Sequence, residues 1–178
     1  MTPLAVNFHL TRACDLACTV CFAHFRGVRG QLSLADAKRL LAVLRAAGVE
    51  KINFAGGEPT LHPHLADLIR HAKGLGFVTS IVTNGARAAA LLADCGDALD
   101  WLGLSVDSAD PTTQARLGRH RGGYLDQAIA LAAQALALGV GVKLNTVVCA
   151  ANLDDDLTPI VSRVRPARWK LLCSYRPS

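Results

Sequence analysis

Lys51-Ile52-Asn53-Phe54-Ala55-Gly56-Gly57-Glu58-Pro59 sets polar Lys51 and Asn53 against apolar Ile52 and Phe54, then breaks at a glycine pair. Side chains along a strand alternate faces, so the stretch reads as a strand with one greasy face and one wet face, closed by a turn. The same alternation recurs along the chain. Asn7 and His9, Ser105 and Asp107, Lys143 and Asn145, and Arg168 and Lys170 fall on one parity. Val6 and Phe8, Leu104 and Val106, Val142 and Leu144, and Trp169 and Leu171 fall on the other, where they are expected to meet helices.

Between these strands lie helical periods. Strands are expected at 4–10, 51–55, 77–83, 101–107, 140–148 and 168–173, and helices at 34–47, 64–75, 86–95 and 125–138, with a fifth ending before Pro166. Ser33 with Asp36 resembles an N-cap box, and Gly48 and Gly76 close the first two helices. Asn152 and the acid triplet Asp154, Asp155 and Asp156 read as helix capping rather than metal binding. After Asp107 a polar loop is expected, running through Arg119 to Gly123.

Strand and helix in alternation make parallel βαβ units, and right-handed crossovers coil them into a doubly wound sheet or a partial barrel. Strands covered on both faces are near-continuously apolar, so the alternation favours a partial (βα)6 barrel with a polar lumen over the alternative of strands with one solvated face. Lys51, Lys143, Arg168 and Lys170 then point inward together, an arrangement that is costly unless a polyanion such as a triphosphate supplies counter-charge.

The 178 residues make a single domain over 1–178 that buries about 70% of the surface an unfolded chain exposes. With 51% hydrophobic and 19% charged residues, the composition argues against disorder. No apolar run approaches the roughly 20 residues that span a bilayer, so no membrane partner and a soluble, cytoplasmic chain are expected. The net charge of +5 leans toward anionic ligands, while 5% aromatics and the lack of an interleaved basic run disfavour direct nucleic-acid binding. Cys95, Cys149 and Cys173 stand singly and read as core or bystander thiols.

Each candidate motif sits at the carboxyl end of a strand, where this class of fold builds its sites. After strand 1 come Cys14, Cys18 and Cys21. Their spacing suits either three corners of a cubane iron–sulfur cluster with one iron left open, or a zinc site completed by His24. Gly56-Gly57-Glu58-Pro59 follows strand 2: its glycines would let a ligand approach backbone carbonyls, and Glu58 would accept from a ligand ammonium group. Thr83-Asn84-Gly85 follows strand 3 and by itself is turn chemistry.

Three cysteines at these spacings with Gly-Gly-Glu-Pro after the next strand resemble the radical S-adenosylmethionine superfamily. Val6-Asn7-Phe8-His9, residues 51–59, Leu104-Ser105-Val106-Asp107-Ser108, Leu117-Gly118-Arg119, Lys143-Leu144-Asn145 and Arg168-Trp169-Lys170 further resemble its viperin family, prokaryotic members included. The resemblance implies a [4Fe-4S] cluster on Cys14, Cys18 and Cys21. It implies S-adenosylmethionine (SAM) held by Gly56, Gly57, Glu58, Asn84, Ser105 and Arg119, and nucleotide binding by Asn7, Lys51, Lys143, Arg168 and Lys170. The implied reaction starts with a 5′-deoxyadenosyl radical taking the C4′ hydrogen of CTP, UTP or GTP. It ends in the 3′-deoxy-3′,4′-didehydro analogue, a chain terminator in antiviral defence. A flavodoxin- or ferredoxin-like electron donor is implied as well.

The chain departs from that pattern at three places. Val20 stands before Cys21 where the superfamily usually has an aromatic, with Phe22 close by. No amphipathic helix precedes strand 1, and the sequence stops at Ser178 soon after strand 6. Against the family, this implies a short form, without the final helix and the segment that closes over the nucleotide, whose turnover is impaired or absent.

Overall fold

A computed structural model describes residues 4–21, 23, 27–119 and 122–174. His24 and Phe22 lie outside the described residues, as does the end of the chain from residue 175. Six strands, β1 (Ala5–His9), β2 (Lys51–Ala55), β3 (Val78–Thr83), β4 (Trp101–Ser105), β5 (Gly141–Val148) and β6 (Arg168–Cys173), form one parallel sheet in sequence order. A doubly wound sheet reverses its strand order at a switch point. This one does not, so its crossover helices share one face and the sheet curls into a half-barrel around the other.

The helices are α1 (Leu34–Ala46), α2 (Leu65–Gly74), α3 (Ala88–Cys95), α4 (Pro111–Arg116), α5 (Tyr124–Ala137) and α6 (Thr158–Val164). Ser33 caps α1 as expected: its Oγ accepts from the Asp36 N–H at 3.1 Å and donates to Asp36 Oδ2 at 2.7 Å. Gly48 and Gly76 follow α1 and α2 with φ of 88° and 83°, a backbone region that residues with a Cβ rarely enter. Ile52, Phe54, Ile81, Leu102 and Val142 on the outward parity are fully buried against Leu41, Leu68 and Ile69 of the helices and their neighbours.

Strand register confirms the parity read from the sequence. Asn7 lies opposite Asn53, Gly103 opposite Lys143, and Lys143 opposite Arg168; Ser105 lies opposite Asn145, and Asn145 opposite Lys170. All of these belong to the lumen face.

Four expectations need correction. Strand 4 ends at Ser105, so Asp107 lies beyond it in a loop. The Asp107-to-Gly123 connection contains α4, whose N-cap Asp110 accepts from the Thr113 N–H at 2.7 Å and whose first residue is Pro111; six residues are too few to show a helical period. Of the acid triplet only Asp156 meets the start of α6, accepting from the Thr158 N–H at 2.8 Å, while Asp155 accepts from Ser108 Oγ. Finally, Trp169 and Leu171 do not meet a helix. They are 42% and 55% exposed, because β6 is an edge strand with no helix after it among the described residues. No helix among the described residues is long and apolar enough to cross a membrane.

Candidate functional site

The cysteine loop is fixed to the rim of the barrel by backbone. The β1–β2 ladder continues past both strands: the Leu10 N–H donates to Ala55 O at 2.9 Å, the Gly57 N–H to Thr11 O at 2.7 Å and the Glu58 N–H to Ala13 O at 2.8 Å. A Cβ on Gly56 would lie 2.5 Å from Thr11 O, and one on Gly57 would lie 2.4 Å from Ala13 O. The glycine pair therefore admits the cysteine loop itself against β2. From the other side, the Thr19 N–H donates to Leu117 O at 3.1 Å, and a Cβ on Gly118 would lie 2.4 Å from Ala17 O. Three glycines from distant parts of the chain thus make room for one loop.

Glu58 is 1% exposed, and its carboxylate is already well supplied. Its Oε1 accepts from the Thr60 N–H at 3.0 Å, Thr60 Oγ at 2.6 Å and Thr83 Oγ at 2.7 Å, and its Oε2 accepts from the Asn84 N–H at 2.7 Å. It joins the ends of β2 and β3. A carboxylate offers about four acceptor sites, so what remains for a ligand is capacity on Oε2. Asn84 extends the tie, its Nδ2 donating to Asp15 Oδ1 of the cysteine loop at 2.6 Å.

Across the lumen, Asp107 and Arg119 form a buried ion pair through Oδ2 and Nε. Asp107 Oδ1 also accepts from the Val147 N–H at 2.8 Å, which fixes the carboxylate to β5. Burial works to depress the Arg119 pKa, but Asp107, Tyr124 and Cys18 outweigh it and hold it above its ordinary value. The Tyr124 phenol, pushed up to about 12 by burial, donates to the Ser105 carbonyl.

Cys14, Cys18 and Cys21 line one cleft of about 180 Å³ with Asn7, Gly56, Gly57, Glu58, Asn84, Ser105, Arg119 and Lys170. A larger hollow, about 480 Å³, opens between β1 and residues 28–32, and none of the three thiols lines it. Burial raises the thiol pKa of Cys14 and Cys18. Cys14 also senses the charge of Cys21, and Cys18 senses both of the others, while Arg119 pulls Cys18 back down. Three thiols lining one cleft beside a held cation fit a polynuclear iron–sulfur cluster. Among the described residues no three His, Cys, Asp or Glu side chains converge on a single metal ion, and His24, the fourth zinc ligand of the alternative reading, lies outside them. Cys95 by contrast is fully buried in the core, its thiol pushed up to about 11.

The remaining candidates, Lys51, Lys143 and Arg168, do not line that cleft. Register places them on the same lumen face, nearer the amino ends of the strands. Burial first, and then the neighbouring cations Lys51, Arg168 and Lys170, press the Lys143 pKa down to about 7. Two further lumen groups, Asn53, already read on the wet face, and Trp101, are absent from the site residues that the resemblance implies. Asn53 Nδ2 donates to Asn7 Oδ1 at 2.9 Å, and Trp101 lies under Lys51 and Lys143 with ring centroid 5.5 Å and 4.5 Å from their Nζ atoms. Asn53 shares the lumen parity of Lys51. Trp101 is two residues before Gly103 and four before Ser105, a parity that would have placed it there too.

Residues 8–163 match the model of the Radical SAM superfamily. The S-adenosylmethionine-dependent nucleotide dehydratase of Lacinutrix mariniflava is 38% identical over 94% of this chain and 38% of its own length. The protein of the same name from a Thermoplasmatales archaeon is 38% identical over 93% of this chain and 60% of its own length. The RSAD2 form from Siniperca chuatsi is 38% identical over 96% and 50%. The chain thus spans between 38% and 60% of the length of these three relatives. Among solved structures, Streptococcus suis SuiB bound to S-adenosylmethionine superposes with a TM-score of 0.81 at 23% identity, over 99% of this chain and 42% of that one. The peptide-bound anSMEcpe superposes with a TM-score of 0.72 at 18% identity, over 98% and 52%. At such identities the structures speak for the fold alone.

Proposed function

The chain belongs to the Radical SAM superfamily, and from that premise we propose that it forms the reaction chamber of a nucleotide dehydratase. The substrate is a ribonucleoside triphosphate, CTP, UTP or GTP, and the product is its 3′-deoxy-3′,4′-didehydro analogue. Cys14, Cys18 and Cys21 hold a [4Fe-4S] cluster. When bound, the cluster and SAM supply a carbon radical able to take hydrogen from ribose C4′.

The chain's own residues bind and position. Gly56, Gly57, Glu58 and Asn84 keep the cysteine loop against the rim, and Glu58 offers its spare Oε2 capacity to the ammonium group of SAM. Arg119, held by Asp107, and Ser105, whose carbonyl is held by Tyr124, form the facing wall. Asn7, Lys51, Lys143, Arg168 and Lys170 grip the nucleotide. The reducing cytoplasm suits free thiols and a flavodoxin- or ferredoxin-like electron donor, and a chain-terminating product suits antiviral defence.

One observation carries the reading: a thiol-lined cleft and a group of four cations share the lumen face of one sheet. The test is anaerobic reconstitution with iron and sulfide, reduction, SAM, and each of the four triphosphates in turn, followed by mass spectrometry. A didehydro product and 5′-deoxyadenosine are expected with the native chain and neither with Cys18→Ala. Product persisting in that variant would refute the cluster assignment.

A further inference from the structure

Lys51 and Lys143 reach over one aromatic ring, which brings two groups that are ammonium ions when free to the same part of the lumen. Among the described residues neither is paired with a carboxylate. What lies beneath both is the indole of Trp101, with the two Nζ atoms inside the roughly 6 Å range over which a ring face attracts a cation. The fold makes a place for that ring. Trp101 lies opposite Gly141 in the β4–β5 register, and a Cβ on Gly141 would lie 2.7 Å, 2.8 Å and 3.1 Å from three indole carbons. Any side chain there would push the rigid ring out of the lumen.

We propose that Trp101 is a positioning residue whose indole gathers Lys51 and Lys143 into one preorganised subsite for the terminal phosphates of a polyphosphate ligand. The inference rests on the nucleotide reading of the lumen and names the part that receives the phosphate tail. Two mutually repelling ammonium groups on flexible stems would spread into solvent when the lumen is empty, and a ligand would have to draw them together at the cost of their rotamer freedom. The ring's negative face offsets part of the repulsion before the anion arrives. It also shields one side of each ammonium from water, which strengthens the attraction to phosphate. Burial and the charges of Lys51, Arg168 and Lys170 hold the Lys143 pKa down, and an incoming anion would restore its full charge.

The test uses inorganic tripolyphosphate and the three nucleoside triphosphates with the full chain. Calorimetry should show Trp101→Leu binding tripolyphosphate on the order of tenfold more weakly than the native chain, and Trp101→Phe within about threefold, since a phenyl ring keeps a π face. The nucleoside triphosphates should lose affinity by a similar factor, as the tail is the part they share. Trp169→Phe, outside the lumen, leaves Trp101 as the one indole of the chain's two. Its emission should then shift on saturation with tripolyphosphate. Native-like binding by Trp101→Leu would overturn the proposal. So would equal losses in the Leu and Phe variants with Trp101 emission unmoved, which would mark a packing role only. Didehydro product together with unchanged Trp101→Leu affinity rejects this inference and keeps the nucleotide dehydratase. Trp101-dependent tripolyphosphate binding without any such product does the reverse.

Discussion

At the rim of the half-barrel Glu58 carries four protein donors and Asp107 sits against Arg119. Toward the amino ends of the strands in the same lumen, Lys51, Lys143 and Arg168 gather below Lys170 with no acidic partner among the described residues, and Lys143 is driven toward neutrality. The two regions are built from charges under opposite rules. Rim charges are satisfied within the protein, so they fix the cysteine loop and the strand ends. Lumen cations have no acidic partner among the described residues, and for the half-buried Lys143 that is a standing cost which an arriving polyanion offsets.

Removing a charge should therefore have opposite effects in the two regions. The largest loss is expected for Asp107→Leu, which leaves the Arg119 guanidinium buried without its carboxylate: about 3–5 kcal/mol of stability by urea denaturation. An intermediate loss is expected for Glu58→Gln. It swaps an acceptor for a donor facing the Asn84 N–H or Thr83 Oγ, at about 1–3 kcal/mol on the same assay. Lys143→Met should reverse the sign and stabilise the free chain by up to about 1 kcal/mol, discounted for the water that reaches a half-buried ammonium, while weakening tripolyphosphate binding. Destabilisation by Lys143→Met would break the contrast.

The subtlest test is pH. The Lys143 pKa falls from 10.5 unfolded to about 7 folded. Between those values the unfolded chain holds a proton that the folded chain has released, so stability rises with pH across that window. The neighbours that set this are Lys51, Arg168 and Lys170. Between pH 7 and 8.5 the native chain should gain more stability than Lys143→Met, and parallel profiles would remove Lys143 from the group of strained cations.

Much of this is legible in the sequence, because period-2 polarity along six strands is a local property that register preserves. Alternation alone places Lys51, Asn7 and Lys170 on one face. The glycine pair is legible as a motif, but only the fold shows that the cysteine loop's own carbonyls lie against Gly56 and Gly57. Alternation misleads at Trp169 and Leu171, whose expected helix cover is absent among the described residues. Parity says which way a side chain points and not what meets it.

What the sequence determined by itself was therefore the order of the strands, the polar lumen, and the three thiols at one end of it. Those follow from spacing along the chain. Tertiary structure alone decided which groups are neighbours: Glu58 with Thr83 and Asn84, Asp107 with Arg119, and Trp101 with Lys51 and Lys143. Each set joins residues brought together by the curl of the sheet or the loops above it, and the energy of a charge depends on those neighbours.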